Sequence, residues 1–330
     1  MFERKRFIEK IFRISSRGEF EEAAMELFRF QSINNPVYKR YLEHLGINGP
    51  NIKSICEIPC LPVSFFKSHQ VITGKRKTVT VFKSSGTGGG RPSSHYVHDP
   101  GLYLSTLLEC FRFYYGHPDK WCILALLPSY LERGNSSLVY MAGKLIERSP
   151  CPQSGFYLHN LDDLASVIEK LEKEDANILL IGVSFALVDL VENQNLSLKN
   201  TIIMETGGMK GRRKEITREE LHEILISKTG LKKIHSEYGM TEMLSQAYSA
   251  GYGKFLSPPW MKIMIRDSHD PFTYVDAGKS GGINVIDLAN VDSCAFLETY
   301  DLGRMLPSGE FEVLGRFDHS DIRGCNLLAE

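Results

Sequence analysis

The stretch KSSGTGGGRPS, from Lys83 to Ser93, follows directly on the strand-like run TVTVF (Thr78–Phe82). Successive glycines allow backbone N–H groups to converge on an anion, and small hydroxyl side chains add hydrogen-bond donors without bulk. The stretch therefore predicts a phosphate-binding loop at the end of a strand. The candidate binding residues are Ser84, Ser85, Gly86, Thr87, Gly88, Gly89 and Gly90.

A second stretch, HSEYGMTEM (His235–Met243), lies about 150 residues further along the chain. It ends another strand-like run, and we expect it to turn through Gly239 into a helix whose N-cap is Thr241. Its two acids, Glu237 and Glu242, stand on either side of that turn. A carboxylate that can hold Mg²⁺, together with a phosphate-binding loop, indicates nucleotide chemistry.

The glycine-rich loop differs from the two commonest nucleotide-binding loops. It contains no Gly-Lys-Ser or Gly-Lys-Thr sequence, which excludes a Walker loop. The next helix is expected to begin near Asp99 or Gly101, too far along the chain for the loop to open into a helix N-terminus as dinucleotide-binding loops do. From these residues alone, a glycine-rich surface turn stays open as the alternative.

Composition limits the other classes of function. With 330 residues, 42% of them hydrophobic, the chain can bury one large core or two lobes. Its formal net charge of −1 gives no general attraction to nucleic acid. No apolar run approaches the roughly 20 residues of a membrane span, and the start MFERKRFIEK indicates an amphipathic helix and not a signal peptide. We therefore expect a cytoplasmic protein.

The seven cysteines include no Cys-x-x-Cys pair. The sequence therefore predicts neither a structural zinc site nor a disulfide framework. Most of the cysteines are expected to pack in the core of a protein from a reducing compartment. His95 and His98 form one His-x-x-His pair, but no residue nearby would complete a metal shell.

The pattern along the chain predicts an α/β fold. The first ~50 residues have helical spacing, with Gly18 between two helices. From Thr78 onward, short β-branched runs alternate with helical patterns, which predicts βαβ units and a mostly parallel sheet flanked by helices. The stretch from Phe255 to Phe317 predicts a small antiparallel lobe. The expected strands are Thr78–Phe82, Cys122–Leu127, Ile178–Ile181, Thr201–Met204 and Lys232–Ser236, and the expected helices are Leu102–Tyr115, Leu161–Glu174 and Arg218–Thr229.

Four ordered motifs resemble those of the adenylate-forming enzymes, the superfamily of acyl-CoA synthetases, peptide-synthetase adenylation domains and luciferases. SSGTGGGRPS resembles the phosphate loop of that superfamily, and EYGMTE resembles its aromatic-Gly-x-Thr-Glu motif. YDLGR (Tyr300–Arg304) resembles the motif whose aspartate holds the ribose hydroxyls, and LGRFD (Leu314–Asp318) resembles the hinge motif with its ribose-contacting arginine. The resemblance covers the chain from about Pro62 to the C-terminus and implies the large-domain fold of these enzymes.

Within that superfamily the chain is similar to the acyl-protein synthetases of bacterial luminescence, the LuxE type. LPVSFFKSH (Leu61–His69), EYGMTEMLSQAY and IRGCNLL (Ile322–Leu328) carry this likeness. In LuxE-type proteins a fatty acid is adenylated and then moved to a cysteine near the C-terminus, and Cys325 fits that position. In the phosphate loop the chain departs from the superfamily pattern, because Gly88 replaces the usual second threonine and Arg91 stands near the place of the usual lysine.

The resemblance also implies a division into three segments. Residues 1–60 are expected to form a helical segment packed on the core, and residues 61–315 the adenylate-forming core with its β lobe. Residues 316–330 are expected to form a hinge-like tail that carries Cys325. We also expect the mobile C-terminal domain of ordinary superfamily members, with its catalytic lysine, to be missing.

The resemblance implies ATP and Mg²⁺ as cofactors and gives roles to individual residues. The phosphate loop would hold the β- and γ-phosphates, Thr241 would donate to the α-phosphate, and Glu242 would bind Mg²⁺. Asp301 would accept from the ribose hydroxyls with Arg316 beside it, and Tyr238 would stack on adenine. The implied catalytic residues are Cys325, Thr241 and Glu242, and further residues expected at the nucleotide are Gly207, Gly208, Glu237, Gly239 and Met240.

The implied function is that of an ATP-dependent acyl-protein synthetase. It would activate a carboxylic acid, expected to be a fatty acid, as acyl-AMP and move the acyl group to Cys325 as a thioester. A partner protein such as a reductase or carrier protein would then receive it, and no nucleic-acid partner is expected. The acyl pocket is expected to draw on Ile181–Leu187, Met243 and Gln246.

Two alternatives to this function stay open. The first is an acid–thiol ligase that loads CoA or a carrier protein, with Cys325 as a spectator. The second is a non-catalytic nucleotide-binding subunit of a multienzyme complex. Retained acids at Glu242 and Asp301 argue against the second alternative.

Overall fold

The computed structural model describes residues 2–47, 49–84, 91–127, 135–158, 160–207 and 216–317. The chain forms two compact units. The unit that we call terminal contains the residues up to Phe65, Val71–Gly74 and the residues from Pro259 onward. The unit that we call central contains Phe66–Gln70 and Lys75–Pro258.

Helices and strands occur along the whole described chain. The helices are α1 (Arg4–Ile11), α2 (Arg17–Asn34), α3 (Pro36–His44), α4 (Phe65–Ser68), α5 (Pro100–Tyr115), α6 (Ser137–Ile146), α7 (Leu161–Lys173), α8 (Ser184–Asn193) and α9 (Arg218–Thr229). None of these helices is long and apolar enough to cross a membrane. The strands are β1 (Leu61–Pro62), β2 (Thr80–Lys83), β3 (Ser94–Val97), β4 (Cys122–Leu126), β5 (Gly155–Phe156), β6 (Ile178–Val183), β7 (Thr201–Thr206), β8 (His235–Tyr238), β9 (Ala247–Ser249), β10 (Lys254–Leu256), β11 (Met261–Arg266), β12 (Ser280–Asp287), β13 (Phe296–Met305) and β14 (Phe311–Arg316).

The central unit is built on a largely parallel sheet with the strand order β10-β9-β8-β7-β6-β4-β5. Strands β4 to β8 run parallel, and β9 and β10 return antiparallel. Every residue of β4 and of β6 is buried, as expected for strands of a parallel sheet that is covered on both faces. The mostly parallel α/β sheet predicted from the apolar runs is confirmed.

Local signals explain where the helices of the central unit begin and end. Helix α9 begins after Thr217, whose side chain forms a reciprocal capping box with Glu220, and it ends at Gly230 in the left-handed conformation. Helix α5 begins at Pro100 after the N-cap Asp99. This start confirms the prediction that the next helix lies well beyond the glycine-rich stretch.

The strand that precedes the glycine-rich stretch is part of a hairpin. Strands β2 and β3 run antiparallel, with Lys83 opposite Ser94. Beside this pair, the Ser84 amide donates to the Ser93 carbonyl, and the Ser93 amide donates to the Ser84 hydroxyl over 2.9 Å. Residues 85–90, which carry the rest of the predicted phosphate loop, lie outside the described residues.

The terminal unit joins the N-terminal helices to an antiparallel sheet. Its strands follow the order β11-β12-β13-β14, and β1 pairs in parallel with β13. The buried side chain of Gln31 on α2 donates to the carbonyls of Asn290 and Val291 and accepts from the Ala295 amide. The predicted antiparallel lobe is confirmed, and the N-terminal helices belong to the same unit as that lobe.

Two local predictions were wrong. Gly18 does not separate two helices, because it is the second residue of α2, which begins after a capping box of Ser16 and Glu19. The described residues after Gly239 form no helix; the chain turns at Thr241 and returns as β9. Antiparallel pairing with β9 satisfies the backbone groups on the second edge of β8, which outweighs the helix-like capping pattern.

A disulfide bond joins Cys122 and Cys151. It corrects the expectation that these cysteines are separate thiols of the core. Cys122 begins β4 and Cys151 shortly precedes β5, so the pairing of these two strands brings the Cα atoms of the cysteines within 5.1 Å. The pairing of distant strands, which the spacing of the cysteines does not reveal, decides this contact.

Candidate functional site

The carboxyl ends of the parallel strands meet at one edge of the central sheet. Val183 at the end of β6 lies beside Thr206 at the end of β7, and Thr206 lies beside Glu237 near the end of β8. Open parallel sheets bind their ligands at this edge. Four further predicted residues follow these strand ends directly or lie in them: Gly207, Tyr238, Gly239 and Met240.

Thr206 holds Glu237 at this edge. The Thr206 hydroxyl donates to the Glu237 Oε2 atom over 2.6 Å. Burial raises the pKa of the Glu237 carboxyl to about 7; the Thr206 hydrogen bond opposes this rise, and the negative charge of Glu205 adds to it. Near neutral pH the carboxyl is therefore roughly half protonated, so it can both accept and donate hydrogen bonds.

Gly239 in the turn after β8 leaves room for the Glu237 carboxyl. A Cβ atom on Gly239 would overlap the Glu237 Oε1 atom, and the Gln246 Cγ atom lies 3.4 Å from the same position. Without that Cβ atom, the backbone of the turn can approach the Glu237 carboxyl. At the neighbouring strand ends, the Ser184 hydroxyl donates to the Gly207 carbonyl over 2.6 Å, which ties the end of β7 to the first residue of α8.

The two sequence motifs meet through His95. This buried residue lies on β3, shortly after the glycine-rich stretch, and its Nδ1 atom lies 2.8 Å from the backbone carbonyl oxygen of Thr241. Because a carbonyl oxygen only accepts, Nδ1 carries the proton. The ring also packs edge-on against Phe66, with 5.9 Å between the ring centroids. The β2–β3 hairpin, which precedes and follows the glycine-rich stretch, and the Thr-Glu turn are therefore held together within the central unit.

Glu242 and Tyr238 are both buried. Tyr238 packs edge-on against Phe255, with 6.0 Å between the ring centroids. Within the described ranges, no three His, Cys, Asp or Glu side chains form a metal-binding group. A Mg²⁺ ion at Glu242 would therefore take most of its ligands from phosphate oxygens and water, which is the donor set that Mg²⁺ prefers in nucleotide sites. The residues present fit such an ion.

Ser84 is the predicted phosphate-loop residue that the structure describes. Its hydroxyl oxygen accepts from the Ser93 amide and keeps its own proton for a ligand. Eight further predicted residues lie outside the described residues, and their roles stay predictions. They are the loop residues Ser85, Gly86, Thr87, Gly88, Gly89 and Gly90, together with Gly208 and Cys325.

A buried charge network underlies the carboxyl edge, and nothing in the sequence pattern indicated it. Glu205 on β7 forms an ion pair with Arg218 on α9, with 2.9 Å between Oε1 and Nε. The His222 Nε2 atom lies 3.8 Å from the same oxygen and 3.4 Å from the Ser236 hydroxyl. Burial alone would raise the pKa of Glu205, but His222 and Arg218 hold it below its usual value. The network links β7 and β8 through Glu205 and Ser236, which directly precede Thr206 and Glu237 in the sequence.

In the terminal unit, Asp301 and Arg316 lie opposite each other on β13 and β14. The Arg316 Nε atom lies 3.4 Å from the Asp301 Oδ1 atom; the Asp301 side chain is largely buried and the Arg316 side chain largely exposed. The Asp301 amide donates to the Thr299 hydroxyl over 3.1 Å. The structure thus brings together the two residues that resemble the ribose-binding pair.

Arg266, which the sequence did not single out, supports the strand that carries Asp301. Its buried guanidinium extends from β11 across Gly282 of β12, where any Cβ atom would collide with it. The guanidinium donates to the Thr299 carbonyl of β13 over 2.8 Å and lies 5.4 Å from the centre of the Phe317 ring. The glycine pair Gly281-Gly282 within a strand is the sequence signal that could have found this crossing.

No family model matches this sequence, and no curated protein matches it. Solved structures do match. 2-Hydroxyisobutyryl-CoA ligase, in the postadenylation state with 2-HIB-AMP, is 14% identical, with a TM-score of 0.68 over 92% of this chain and 69% of that chain. ATP-bound MatB from Rhodopseudomonas palustris is 20% identical, with a TM-score of 0.55 over 74% of this chain and 49% of that chain. The o-succinylbenzoate CoA synthetase MenE from Bacillus subtilis is 20% identical, with a TM-score of 0.51 over 73% and 50%.

At these identities the similarity is one of fold. It confirms the expected fold, a mostly parallel α/β sheet flanked by helices with a smaller antiparallel sheet, as found in adenylate-forming enzymes. The chain spans about half the length of the MatB and MenE structures that it matches.

Proposed function

We propose that this chain is an ATP-dependent ligase that activates a carboxylic acid as an acyl-adenylate. The observation that carries the proposal is the hydrogen bond between His95 and Thr241, which joins the phosphate-loop hairpin to the Thr-Glu turn at the carboxyl edge of the sheet. The fold supports it, because the structures of similar fold include MatB with ATP and 2-hydroxyisobutyryl-CoA ligase with 2-HIB-AMP.

Activation gives the carboxylate a leaving group that it lacks. A carboxylate oxygen of the substrate attacks the α-phosphorus of ATP, a new O–P bond forms, and the bond to the bridging oxygen breaks to release pyrophosphate. The loop that starts at Ser84 would hold the β- and γ-phosphates, and Thr241 would donate to the α-phosphate. A Mg²⁺ ion held by Glu242 would supply positive charge to the phosphates.

We assign the nucleoside part of ATP to three residues. Asp301 would accept hydrogen bonds from the ribose hydroxyls, with the Arg316 guanidinium 3.4 Å from its carboxylate. Tyr238 would contact adenine with its ring. These assignments follow the sequence resemblance, and the pairing of Asp301 with Arg316 supports them.

We propose Cys325 as the acyl acceptor. Its thiolate would attack the carbonyl carbon of the acyl-adenylate; a C–S bond forms, the C–O bond to AMP breaks, and AMP leaves with the electron pair. The resulting thioester would pass to a partner protein such as a reductase or carrier protein. A fatty acid is the substrate that the resemblance to LuxE-type proteins favours.

A second candidate is an acid–thiol ligase that loads CoA. The observation in its favour is that 2-hydroxyisobutyryl-CoA ligase, which has a similar fold, binds CoA together with 2-HIB-AMP. In that case Cys325 would be a spectator, and the acyl group would leave the protein on CoA.

Product analysis tests the proposal and separates the two acceptors. The wild-type protein and Cys325→Ser are each incubated with ATP, Mg²⁺ and a panel of labelled acids, with and without CoA, and the nucleotides, the acyl-CoA and the protein are analysed by mass spectrometry. We expect AMP, acyl-AMP and an acylated wild-type protein, but no acylation of Cys325→Ser. Acyl-CoA formed equally by both proteins would favour the second candidate. Formation of ADP instead of AMP would contradict the proposed function.

A further inference from the structure

Three polar side chains, which we call the polar cluster, lie at the carboxyl edge of the central sheet: Glu237, Gln246 and Tyr248. Glu237 on β8 and Tyr248 on β9 are direct partners in an antiparallel pair, so their side chains leave the sheet on the same face. Gln246 immediately precedes β9, and its Cγ atom and the Glu237 Oε1 atom both flank Gly239. The three side chains therefore converge.

Two atoms of the polar cluster have no hydrogen-bond partner. The Tyr248 hydroxyl and the Gln246 Oε1 atom are fully buried, and neither meets a donor or acceptor in the described part of the chain. The Gln246 Nε2 atom donates to the Leu244 carbonyl over 2.9 Å, which fixes the amide and leaves Oε1 open. Burying such a group unpaired is unfavourable, and native proteins pair nearly all buried polar groups. These two atoms are therefore available to a hydrogen-bond partner from outside the chain.

Aromatic rings of α5 surround the polar cluster. The Tyr248 ring lies 5.0 Å from the ring of Tyr114 and 5.3 Å from that of Tyr115. Burial, and next the charge of Glu237, raise the pKa of Tyr103, Tyr115 and Tyr248, so their hydroxyls stay protonated. Gln246 and Tyr248 are buried, and Glu237 is half-buried, so Glu237 is the member of the cluster that solvent reaches.

We propose that the polar cluster binds a hydroxyl or amino group in the acyl part of the substrate acid, an inference that rests on the proposed function. An O–H or N–H group would donate to the Gln246 Oε1 atom and the Glu237 carboxyl. The Tyr248 hydroxyl would donate to a bound hydroxyl or accept from a bound amino group. An unsubstituted hydrocarbon chain offers none of these bonds and would leave the polar groups desolvated and unpaired. The site therefore favours hydroxy or amino acids, which replaces the plain fatty acid that the resemblance to LuxE-type proteins favours.

The position of the polar cluster in the chain suits it to binding the acyl part of the substrate acid. Glu237 lies directly before Tyr238 and shortly before Thr241, so it occupies the same strand end and turn as the residues assigned to the nucleotide. A substrate whose carboxylate reacts there would have its acyl part near the cluster. Glu237 thereby takes a role in selecting the acid in place of the nucleotide contact that the resemblance implied.

Matched pairs of acids test the inference on the wild-type protein. Each pair shares one carbon skeleton, with and without a hydroxyl or an amino group near the carboxyl end of the chain. ATP–pyrophosphate exchange gives kcat/KM for each acid. In at least one series, we expect kcat/KM to be at least about tenfold higher for the substituted acid, the ratio that one buried hydrogen bond supplies. The series that shows the preference identifies the hydroxyl or the amino group as the one bound.

Two tyrosine variants provide the matched comparison. Tyr248→Phe removes one hydroxyl of the polar cluster. It should lower the ratio of kcat/KM for the substituted acid to kcat/KM for the unsubstituted acid, in the preferred pair, by about tenfold. Tyr252→Phe removes a hydroxyl from a tyrosine that is 78% exposed and should leave the ratio unchanged. Thermal unfolding shows whether both variants fold, and the wild-type comparison decides the question if Tyr248→Phe does not.

Three results would overturn the inference. Equal kcat/KM within every pair of acids would overturn this inference but not the proposed function, because the exchange itself would still support that function. An unchanged ratio in a folded Tyr248→Phe would also contradict it. Exchange with no acid at all would overturn the proposed function and this inference together.

Discussion

The Nδ1 atom of His95 donates to the backbone carbonyl of Thr241 over 2.8 Å and joins two segments that lie 146 residues apart in the chain. His95 follows the glycine-rich stretch, and Thr241 directly precedes Glu242. The hydrogen bond therefore holds the hairpin that would present phosphate-binding groups against the turn that would hold the metal. Both residues belong to the central unit.

Replacing His95 should weaken the use of ATP. His95→Ala removes the donor and leaves the half-buried Thr241 carbonyl without this hydrogen bond. We expect the KM for ATP to rise about tenfold, which corresponds to the loss of one hydrogen bond. His95→Asn keeps an N–H donor and should restore most of the loss. The KM for ATP in pyrophosphate exchange checks both variants.

A histidine far from this contact gives the control. His269 has a side chain that is 94% exposed, and His269→Ala should leave the KM for ATP unchanged. A folded His95→Ala with the wild-type KM would show that the contact does not organise the nucleotide site.

Glu242→Gln should impair Mg²⁺ use. The substitution keeps the size of this buried side chain but removes the charge that attracts the metal. We expect kcat to fall on the order of 10²-fold and the half-saturating Mg²⁺ concentration to rise, since electrostatic support of the transferred phosphoryl group supplies a large share of catalysis. A Mg²⁺ titration of the exchange reaction measures both effects.

The exposed acid Glu219, in the first turn of α9, provides the control for charge alone. Glu219→Gln should leave the Mg²⁺ dependence as it is in the wild type. If Glu242→Gln behaves in the same way, Glu242 does not bind the metal.

The raised pKa of Glu237 should make the stability of the protein depend on pH. The folded-state pKa of about 7 lies above the ordinary value of 4.5, so the unfolded chain loses this proton at lower pH than the folded chain. Stability from this group is therefore complete below about pH 4.5 and is lost as the pH rises through about 7. Glu237→Gln removes this titration. The free energy of unfolding of the variant minus that of the wild type should therefore increase between pH 5 and pH 8, by on the order of 1–3 kcal/mol.

Urea unfolding at several pH values measures this difference. A constant difference between Glu237→Gln and the wild type from pH 5 to pH 8 would show that the carboxyl titrates normally in the folded state.

The ion pair between Glu205 and Arg218 should matter more for stability than pairs on the surface. Arg218→Met leaves a buried carboxylate without its partner, and we expect the free energy of unfolding to fall by about 2–4 kcal/mol at pH 7. The loss should shrink as the pH falls toward 4, because the pKa of Glu205 is held low in the folded state and its stabilising effect disappears on acidification.

Arg17 offers a matched surface pair. It contacts Glu21 over 2.6 Å with a side chain that is 82% exposed, so Arg17→Met should lower the free energy of unfolding far less than Arg218→Met does. Equal losses in Arg218→Met and Arg17→Met would contradict the structural role given to the buried pair.

Much of the fold could be predicted because local sequence patterns determine its helices and strands. The buried parallel strands appear as continuous apolar runs, and Arg218–Thr229 was predicted with its observed bounds because Thr217 and Gly230 mark its two ends. The segment after Gly239 could not be predicted in the same way. Its Thr-Glu sequence looks like a helix start, whereas pairing of β8 with β9, a tertiary effect, decides its structure.

The site was predicted only in part for a related reason. Motif residues such as Thr241 and Asp301 stand out because of their immediate neighbours in sequence. By contrast, Glu205, Arg266 and Tyr248 act through partners on other strands or helices, and single residues at such distances leave no periodic signal. Their roles can be recognised from the structure, which shows which side chains are buried and which polar atoms have no hydrogen-bond partner.

The most direct test of the central claim is ATP–pyrophosphate exchange with labelled pyrophosphate and one carboxylic acid at a time. The proposed function predicts exchange that requires an acid and Mg²⁺, persists in Cys325→Ser, and falls sharply in Glu242→Gln. A folded protein that binds ATP but shows no acid-dependent exchange with any hydroxy, amino, fatty or aromatic acid would contradict it and favour a non-catalytic nucleotide-binding subunit.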